Sequence, residues 1–415
     1  MRRIIYISIV CILATTMLPA KSLEDYFRMA AENNPELQAK YKQYEAALQK
    51  IPQVSSLSDP VFSLGYFLSP VETRVGPQRA KFSLTQMFPW FGTLKAQGDA
   101  AALLAEARFQ EFLEARNKLW YRVAAAYYPL YELRQVIRIE QENIEILSSF
   151  KTIASAKFRH DNTPMVDVLR VDIMRNDALT SLEILQQKEK PLRVTFNNLL
   201  NRDDHAPVEI TDSISTGFIP ENFKRDSLLN ANPALDALDQ KIRAQKAAEV
   251  AASRQGMPKL GAGLDYVIVG EGPLAATDNG KDVLMPMVSV SIPLFRKKVN
   301  AAVKEAKLRQ EQYALEKKAT ENNLKSEYEM AIFELRNQQQ LIDLYRKQIN
   351  TTQQSLNLLL TSYENSGNAF EEVLRMQQQL LKYKKLIASS EAAYLTSLAK
   401  LNYLTAKTYD YETYR

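Results

Sequence analysis

The stretch FSLTQMFPWFGTLKAQGDAA, residues 82–101, contains the junction on which the fold depends. Its first residues alternate between apolar and polar side chains, which is typical of a β-strand with two different faces. Its last residues are rich in alanine and favour a helix. Between them, Pro89 and Gly92 interrupt regular structure, so the stretch predicts a strand that turns into a helix through a short hinge. Three aromatic residues lie at that hinge: Phe88, Trp90 and Phe91.

The N-terminus predicts a secretory signal over residues 1–20. Arg2 and Arg3 precede an apolar run that ends in a proline and Ala20, so we expect cleavage after Ala20 and export of the chain. An uncleaved anchor helix is the alternative. The only cysteine, Cys11, lies inside this signal, so the mature chain is expected to hold no disulfide and no cysteine metal site.

The composition of the 415 residues argues against several classes of protein. Charged residues make up 24%, the mean hydropathy is −0.30, and no later stretch approaches the roughly 18 apolar residues of a membrane helix. The net charge falls from +5 to +3 without Arg2 and Arg3, which is too mild to predict a nucleic-acid partner. No nucleotide-binding or catalytic motif occurs, and the two histidines, His160 and His205, lie far apart. We therefore predict no cofactor and no enzyme activity.

The chain repeats itself. Asn34-Pro35-Glu36-Leu37 returns as Asn232-Pro233-Ala234-Leu235, and two further matches follow in the same order, at offsets of 198, 202 and 205 residues. Each half contains a helical stretch, a pair of strands, a long helix, a break and a last helix. The predicted segments are a signal 1–20, a first repeat 21–200 with a hairpin at 61–88, a linker 201–222, a second repeat 223–404 with a hairpin at 260–292, and a tail 405–415.

The long helices show the periodicity of packed bundles. In the second half, a seam of side chains at coiled-coil spacing runs from Ile342 to Tyr363. In the first half, two such stripes lie side by side between Val136 and Phe158. A helix with two apolar stripes has two neighbours, as in a bundle or a closed ring of helices.

The predicted strands are 9 to 11 residues long, the length that crosses a bilayer as a tilted barrel strand. A small β-sandwich is the alternative for one hairpin alone. Four strands cannot close a barrel, but several copies of the chain together can, and closure removes the unpaired strand edges that lipid does not tolerate.

These features together resemble the TolC-like outer-membrane efflux proteins, and the resemblance covers most of the chain. Its most specific part is Gln86-Met87-Phe88-Pro89-Trp90-Phe91-Gly92-Thr93-Leu94, which is similar to the Gln-x-x-Pro-Trp-Pro-Gly-Lys-Leu segment of the branch that serves heavy-metal efflux pumps. Phe91 stands in place of the second proline and Thr93 in place of the lysine, so the sequence favours that branch but matches its segment incompletely.

The resemblance implies a homotrimer that extends from the outer membrane of a Gram-negative bacterium into the periplasm. Three copies would supply four strands each to one 12-stranded transmembrane barrel, and their helices would form a hollow tunnel. Residues 201–222 and the C-terminal tail would form a belt around it. The partners that the resemblance implies are outer-membrane lipid, a periplasmic adaptor and an inner-membrane pump of the RND type. The pump would deliver metal ions or drugs to this passive conduit.

The two helix breaks, 157–170 and 361–375, predict turns between antiparallel helices. Asn162 and Gly367 suit the left-handed end of a helix, and Thr163 and Asn368 suit the N-cap of the next one. Simple connections would explain these residue types, and the resemblance implies that the turns are also the tips that dock the adaptor. The implied docking residues are His160, Asp161, Asn162, Thr163, Asn365, Ser366, Gly367 and Asn368.

Charged residues follow each turn and are candidates for a periplasmic gate: Asp167, Arg170, Glu372 and Arg375. The resemblance implies a ring of acidic side chains here, and Glu372 matches that position best. Arg375 stands where an acidic residue is usual, which suggests that it pairs with Glu372 or Asp167. Solvated charges that favour a helix N-terminus would explain the same residues.

Two further classes of function remain open from the sequence. A periplasmic adaptor also uses long helical hairpins, but it needs one hairpin between β-rich halves, and this chain has two in tandem. A secreted coiled-coil scaffold without a pore leaves the bilayer-length strands unexplained. At the hinges, Pro89 recurs in the second half as Pro293, whereas Trp90 has no counterpart. We therefore predict that the prolines are architectural and that the aromatic cluster is a membrane-interface belt.

Overall fold

The computed structural model describes residues 22–160, 163–210, 231–272, 277–366 and 370–406. The predicted signal 1–20, residues 211–222 of the linker and residues 407–415 of the tail lie outside these ranges. The helices and strands, in chain order, are α1 (Leu23–Asn33), α2 (Pro35–Ser55), β1 (Val61–Val71), β2 (Gln78–Phe88), α3 (Thr93–Arg159), α4 (Met165–Leu199), α5 (Pro233–Gln255), β3 (Lys259–Val269), β4 (Val283–Ser291), α6 (Lys297–Ser366) and α7 (Phe370–Leu404).

The predicted fold class, mainly helical with two β-hairpins in a repeated plan, is confirmed, and the element boundaries differ from the predicted ones by a few residues. The first helical stretch differs, because it is divided at Asn34 into α1 and α2. Asn34 is extended, with φ −66° and ψ 121°. The residue before a proline is disfavoured in the helical region, so Pro35 ends α1 and begins α2.

The repeated Asn-Pro motifs make the same contact in both halves. The Asn34 Nδ2 donates to the main-chain oxygen of Leu199, at 2.9 Å. The Asn232 Nδ2 donates to the main-chain oxygen of Leu404, at 3.0 Å. Each bond ties the start of a helix in one half to the end of the last helix of that half, and both asparagines are buried.

The chain divides into two compact units, and each contains segments from both halves. The first unit is Met1–Asn34, Arg122–Phe218 and Leu335–Thr396. Parts of α3, α4, α6 and α7 enclose its core. The buried residues of one continuous cluster are Leu147, Phe150, Ala154, Val168, Val171, Ala178, Leu356, Tyr363, Phe370, Val373, Leu374 and Leu380.

The predicted seams supply much of that core, with two differences. Phe158, the last residue of one predicted stripe, is exposed. Polar residues are buried between the apolar ones instead: the Glu140 side chain forms an ion pair with Lys385, and the Gln377 Nε2 donates to the Asn143 Oδ1 at 3.1 Å. Charged and amide positions can lie in a seam when a partner from the facing helix satisfies them, which periodicity does not reveal.

The second unit is Pro35–Tyr121, Ile219–Glu334 and Ser397–Arg415, and it contains one antiparallel sheet in the order β1-β2-β3-β4. The sequence predicts two hairpins, and the pairing of β2 with β3 joins them into this sheet, from Gln78 opposite Val269 to Phe88 opposite Leu260. β1 and β4 are its two edges.

The turns of the two hairpins pack closely, and Gly76 makes this possible. Gly76 has φ +119°, and a Cβ there would lie 1.8 Å from the main-chain oxygen of Gly270. Gly280 donates to the main-chain oxygen of Val75 at 2.7 Å. Within the described residues, no helix combines the length and apolar character needed to cross a bilayer.

Candidate functional site

One face of the sheet is apolar, and none of the described residues covers it. Strand alternation and the register place one set of large side chains on this face, all of them exposed: Phe62, Leu64, Tyr66, Leu84, Leu264, Tyr266, Leu284, Val288 and Val290. Leu64 is 62% exposed and Val288 is 85% exposed. A face of this size is not stable against water, so it needs a cover.

The opposite face carries serine, threonine and charged side chains beside methionines and valines. Ser63, Ser83 and Thr85 lie there, and a buried Asp265 forms an ion pair with Lys81 on the neighbouring strand. Asp265 is fully buried, so Lys81 compensates a charge that would otherwise be costly. Sequence reasoning missed this pair, although an aspartate inside an apolar strand was a visible signal.

The predicted strand-to-helix hinge after β2 is built as a tight turn. The Thr93 amide donates to the main-chain oxygen of Trp90 at 3.0 Å, and the Ala96 amide donates to that of Gly92 at 3.0 Å. Gly92 has φ +73°, a left-handed conformation that favours glycine. The helix α3 therefore begins at Thr93, directly after the glycine.

The aromatic residues at this hinge are exposed. Phe88 and Trp90 are partly exposed, Phe91 is 77% exposed, and the Trp90 and Phe91 rings meet edge to face at 5.9 Å. At the equivalent point of the second half, Pro293 lies between β4 and α6, where Leu294 and Phe295 are also exposed. Both hinges thus present apolar side chains, although only one has a tryptophan.

A packed group of side chains lies at the predicted tips, in the first unit. The Tyr363 ring, fully buried, stacks on Phe370 at 4.5 Å. The Lys157 Nζ lies 5.0 Å from the centre of the Tyr363 ring and donates to the main-chain oxygen of Glu364 at 3.0 Å. These contacts connect the end of α3 with the end of α6.

Thr163 is not the N-cap of α4, contrary to the sequence prediction. Pro164 occupies that position without a side-chain hydrogen bond, with φ −73° and ψ 149°. The Thr163 hydroxyl instead donates to the Asp167 Oδ2 at 2.7 Å, and both side chains are buried. Burial raises the pKa of Tyr363, the Asp167 carboxylate adds to this, and Thr163 opposes it.

Each of the four gate candidates takes part in an ion pair within the chain. Arg170 lies 3.6 Å from Asp167 on the same helix, and 3.1 Å from the Glu371 carboxylate on α7. Arg375 forms an ion pair with Glu372, one of its two expected partners. Glu371 was missed, since nothing in the sequence distinguishes it from the adjacent Glu372.

The predicted docking residues are only partly described. His160 and Asn365 are exposed, Thr163 is buried, and Ser366 is the last residue of α6. Asp161, Asn162, Gly367 and Asn368 lie outside the described residues. Within the described ranges, no group of three or more histidine, cysteine or acidic side chains is placed to hold a metal ion.

Solved structures share this fold. The outer-membrane channel OprN is 15% identical, with a TM-score of 0.76 over 93% of this chain and 90% of that one. CusC is 15% identical, with a TM-score of 0.76 over 92% and 91% of the two chains. The outer membrane protein VceC of Vibrio cholerae is 15% identical, with a TM-score of 0.74 over 92% and 95%. No protein-family model matches the sequence, and no curated protein matches it.

Proposed function

We propose that this protein is the outer-membrane exit duct of a tripartite efflux system, with no catalytic activity of its own. One observation carries the proposal: an uncovered apolar face lies on a sheet with two open edges, in a chain that has the fold of outer-membrane channels. Substrates would pass through the duct after an adaptor and an inner-membrane pump of the RND type deliver them.

Lipid is the natural cover for the apolar face. The strands contain 9 to 11 residues, which matches the hydrocarbon core when strands are tilted. The other face, with Lys81, Asp265 and the small hydroxyl side chains, would then line water. The exposed rings of Phe88, Trp90 and Phe91 would lie at the membrane interface as a belt, because amphipathic rings favour that depth.

Copies of the chain would close the sheet. Unpaired strand edges are not stable in lipid, so the free edge of β1 needs the free edge of β4 from a neighbouring copy. Three copies give the 12-stranded barrel of the proposed homotrimer. The two hinges, at Pro89 and Gly92 and at Pro293, would then let each pair of strands continue into the helices of a tunnel.

The helix turns would be the periplasmic end of this tunnel. There His160, Asn365 and their neighbours would dock the adaptor, and Asp167, Arg170, Glu372 and Arg375 would line a narrow entrance. Salt bridges moderate the acidic charge of that entrance, so we infer a mixed-charge constriction instead of a purely acidic one. A heavy-metal cargo is supported only by the resemblance of residues 86–94 stated above.

A pair of matched variants on β1 tests the membrane placement. Ser63 and Leu64 are adjacent and both exposed in the single chain, so a sheet surrounded by water would tolerate lysine at either position. We expect Leu64→Lys to abolish outer-membrane assembly, at a cost of about 2–4 kcal/mol per copy, and Ser63→Lys to assemble normally. Recovery of folded protein from the outer-membrane fraction measures both.

Equal assembly of the two lysine variants would contradict the lipid-facing sheet and favour a pore-free scaffold or a periplasmic adaptor.

Recovery from the outer-membrane fraction also tests the aromatic belt. We expect Trp90→Ala to reduce the fraction of protein inserted in the membrane without changing the helical content.

Co-purification with the cognate adaptor tests docking, since the bulky side chain of Asn365→Trp should weaken the binding of the adaptor.

Conductance tests the entrance. Glu372→Gln removes one carboxylate per copy and leaves Arg375 without its partner, so we expect a higher anion permeability and weaker block by divalent cations in planar bilayers. Glu364→Gln is the control, because Glu364 is exposed and its carboxylate forms no ion pair among the described residues, whereas only its main-chain oxygen accepts a hydrogen bond. Unchanged conductance and block in Glu372→Gln would remove this residue from the gate.

A further inference from the structure

A cavity of about 370 Å³ adjoins the hinge that follows β2. Pro89, Trp90 and Thr93 line one side of it, and Arg254 at the end of α5, Lys259 at the start of β3 and Lys298 at the start of α6 line the others. All of these residues belong to the second unit. The cavity therefore lies where two strands and three helices of one chain meet.

The cavity gathers positive charge without a counter-charge. Its lining includes Arg254, Lys259 and Lys298, and no carboxylate among the described residues that form its wall. Two cations further along α6 do have a carboxylate partner: Lys317 lies 2.7 Å from Asp239, and Lys307 lies 3.6 Å from Glu249. Like charges repel at short range, so the unpaired group at this end of the helices favours an anion.

A buried hydroxyl provides a second, independent sign of a ligand. Thr93 lines the cavity and is only 3% exposed. Its Oγ1 has no hydrogen-bond partner among the described residues. A buried hydroxyl without a partner is costly, so an acceptor bound in the cavity would satisfy it.

The absence of a side chain at Gly92 leaves room for one of the cations. A Cβ on Gly92 would lie 1.8 Å from the Arg254 Nη1. Any side chain at position 92 would therefore displace the guanidinium, in addition to straining a backbone with φ +73°. The glycine serves the turn and also leaves room for Arg254 beside it.

We propose that this cavity binds a phosphate group, either free or carried by the headgroup of an anionic lipid. A guanidinium binds phosphate through two parallel hydrogen bonds, the two ammonium groups add charge, and the Thr93 hydroxyl supplies a further donor. The cavity is larger than a phosphate ion, which leaves space beside Trp90 for the group that carries it. The inference does not rest on the channel function, because one unit of one chain supplies every residue.

Titration calorimetry of the full chain, purified in an uncharged detergent, tests the site. The probes are inorganic phosphate, dihexanoyl phosphatidylglycerol and uncharged dihexanoylglycerol. We expect one or both phosphate-bearing probes to bind and the uncharged one not to bind. Arg254→Gln should weaken binding about tenfold, as expected for the loss of a charged hydrogen bond, and Thr93→Val should weaken it severalfold.

Two further variants separate the site from general effects of charge and folding. Lys304→Gln removes an exposed cation of α6 that does not line the cavity, and it should leave the dissociation constant unchanged. Thr93→Ser keeps the hydroxyl and should retain binding that Thr93→Val loses. Binding of phosphatidylglycerol alone would assign a lipid headgroup, and equal binding of both anions would assign free phosphate. Absence of binding, or binding that Arg254→Gln and Thr93→Val leave unchanged, would overturn the proposal.

Discussion

At the scale of single residues, Asn232 does two different things with one amide group. The Asn232 Oδ1 accepts from the Ala234 amide at 2.9 Å and so caps α5, while its Nδ2 donates to the main-chain oxygen of Leu404. The Nδ2 of Asn34 makes the equivalent bond to Leu199. An aspartate in either position keeps the shape and the acceptors but loses the donor, so the two contributions can be separated.

We expect Asn232→Asp and Asn34→Asp each to lower the free energy of unfolding by about 1–3 kcal/mol, because a buried main-chain oxygen is left without its donor. Thermal melting of the purified chain, followed by far-ultraviolet circular dichroism, measures the effect. Asn33→Asp is the control, since the exposed Asn33 side chain bonds only to the main-chain oxygen of Met29 in its own helix. Equal melting of all three variants would show that these bonds do not hold the helix ends.

At the scale of helices and strands, charges connect the long helices away from the cavity. Glu111 on α3 lies 2.5 Å from the Lys241 Nζ on α5 and 2.6 Å from the Arg108 Nη1 on its own helix. Burial alone would raise the pKa of Glu111, but the hydrogen bonds from Lys241 and Arg108 outweigh it, so the pKa lies below the usual value. The carboxylate is therefore stabilised in the folded state relative to the unfolded one.

A carboxyl group whose pKa is lower in the folded than in the unfolded state stabilises the fold at pH values above its unfolded-state pKa. This stabilisation is lost as the pH falls through the folded-state pKa. We expect Glu111→Gln to destabilise the protein by about 2 kcal/mol at pH 7 and the difference from the unsubstituted protein to shrink below about pH 4. Melting temperatures of the variant and the unsubstituted protein, at pH 7 and below about pH 4, measure the difference. Glu305→Gln, in the exposed pair with Arg309, should change the melting temperature little at either pH.

A loss of stability in Glu111→Gln that is equal at the two pH values would contradict the ionic explanation.

At the scale of the whole molecule, the order of strands makes closure by copies testable. Within one chain β1 and β4 are separated by two strands, so their Cα atoms are about 14 Å apart. A disulfide needs Cα atoms within about 7 Å, so a bond between β1 and β4 can form only between copies. Cys11 is the only cysteine in the sequence, which makes the background simple.

We therefore expect Ser63→Cys on β1, combined with single cysteines at Met285, Met287 or Ser289 on the same face of β4, to form covalent trimers for at least one pair. Oxidised samples on denaturing gels, with and without reductant, measure this. The combination of Ser63→Cys with Leu284→Cys, on the opposite face, is the control and should not cross-link. Monomers for every pair, in protein recovered from the membrane, would contradict closure through these edges.

Local sequence patterns determine most of the secondary structure of this protein. The order of elements, the two faces of each strand, the hinge at residues 89–92 and the seams of the long helices follow from alternation, heptad spacing and chain-breaking residues, which are properties of consecutive positions. The break at Asn34 was not predicted, although Pro35 is a local signal for it, because the apolar periodicity continues across the proline.

Tertiary structure alone decides which distant residues meet. The pairing of β2 with β3, the burial of Asp265 beside Lys81, the contact of Arg170 with Glu371 and the position of Arg254 beside Gly92 all join segments more than 150 residues apart. Nothing in the local sequence specifies such partners, because they depend on the register between packed elements. For that reason the hinge was visible from the sequence, while the cation-lined cavity beside it became apparent only when α5, β3 and α6 were folded against it.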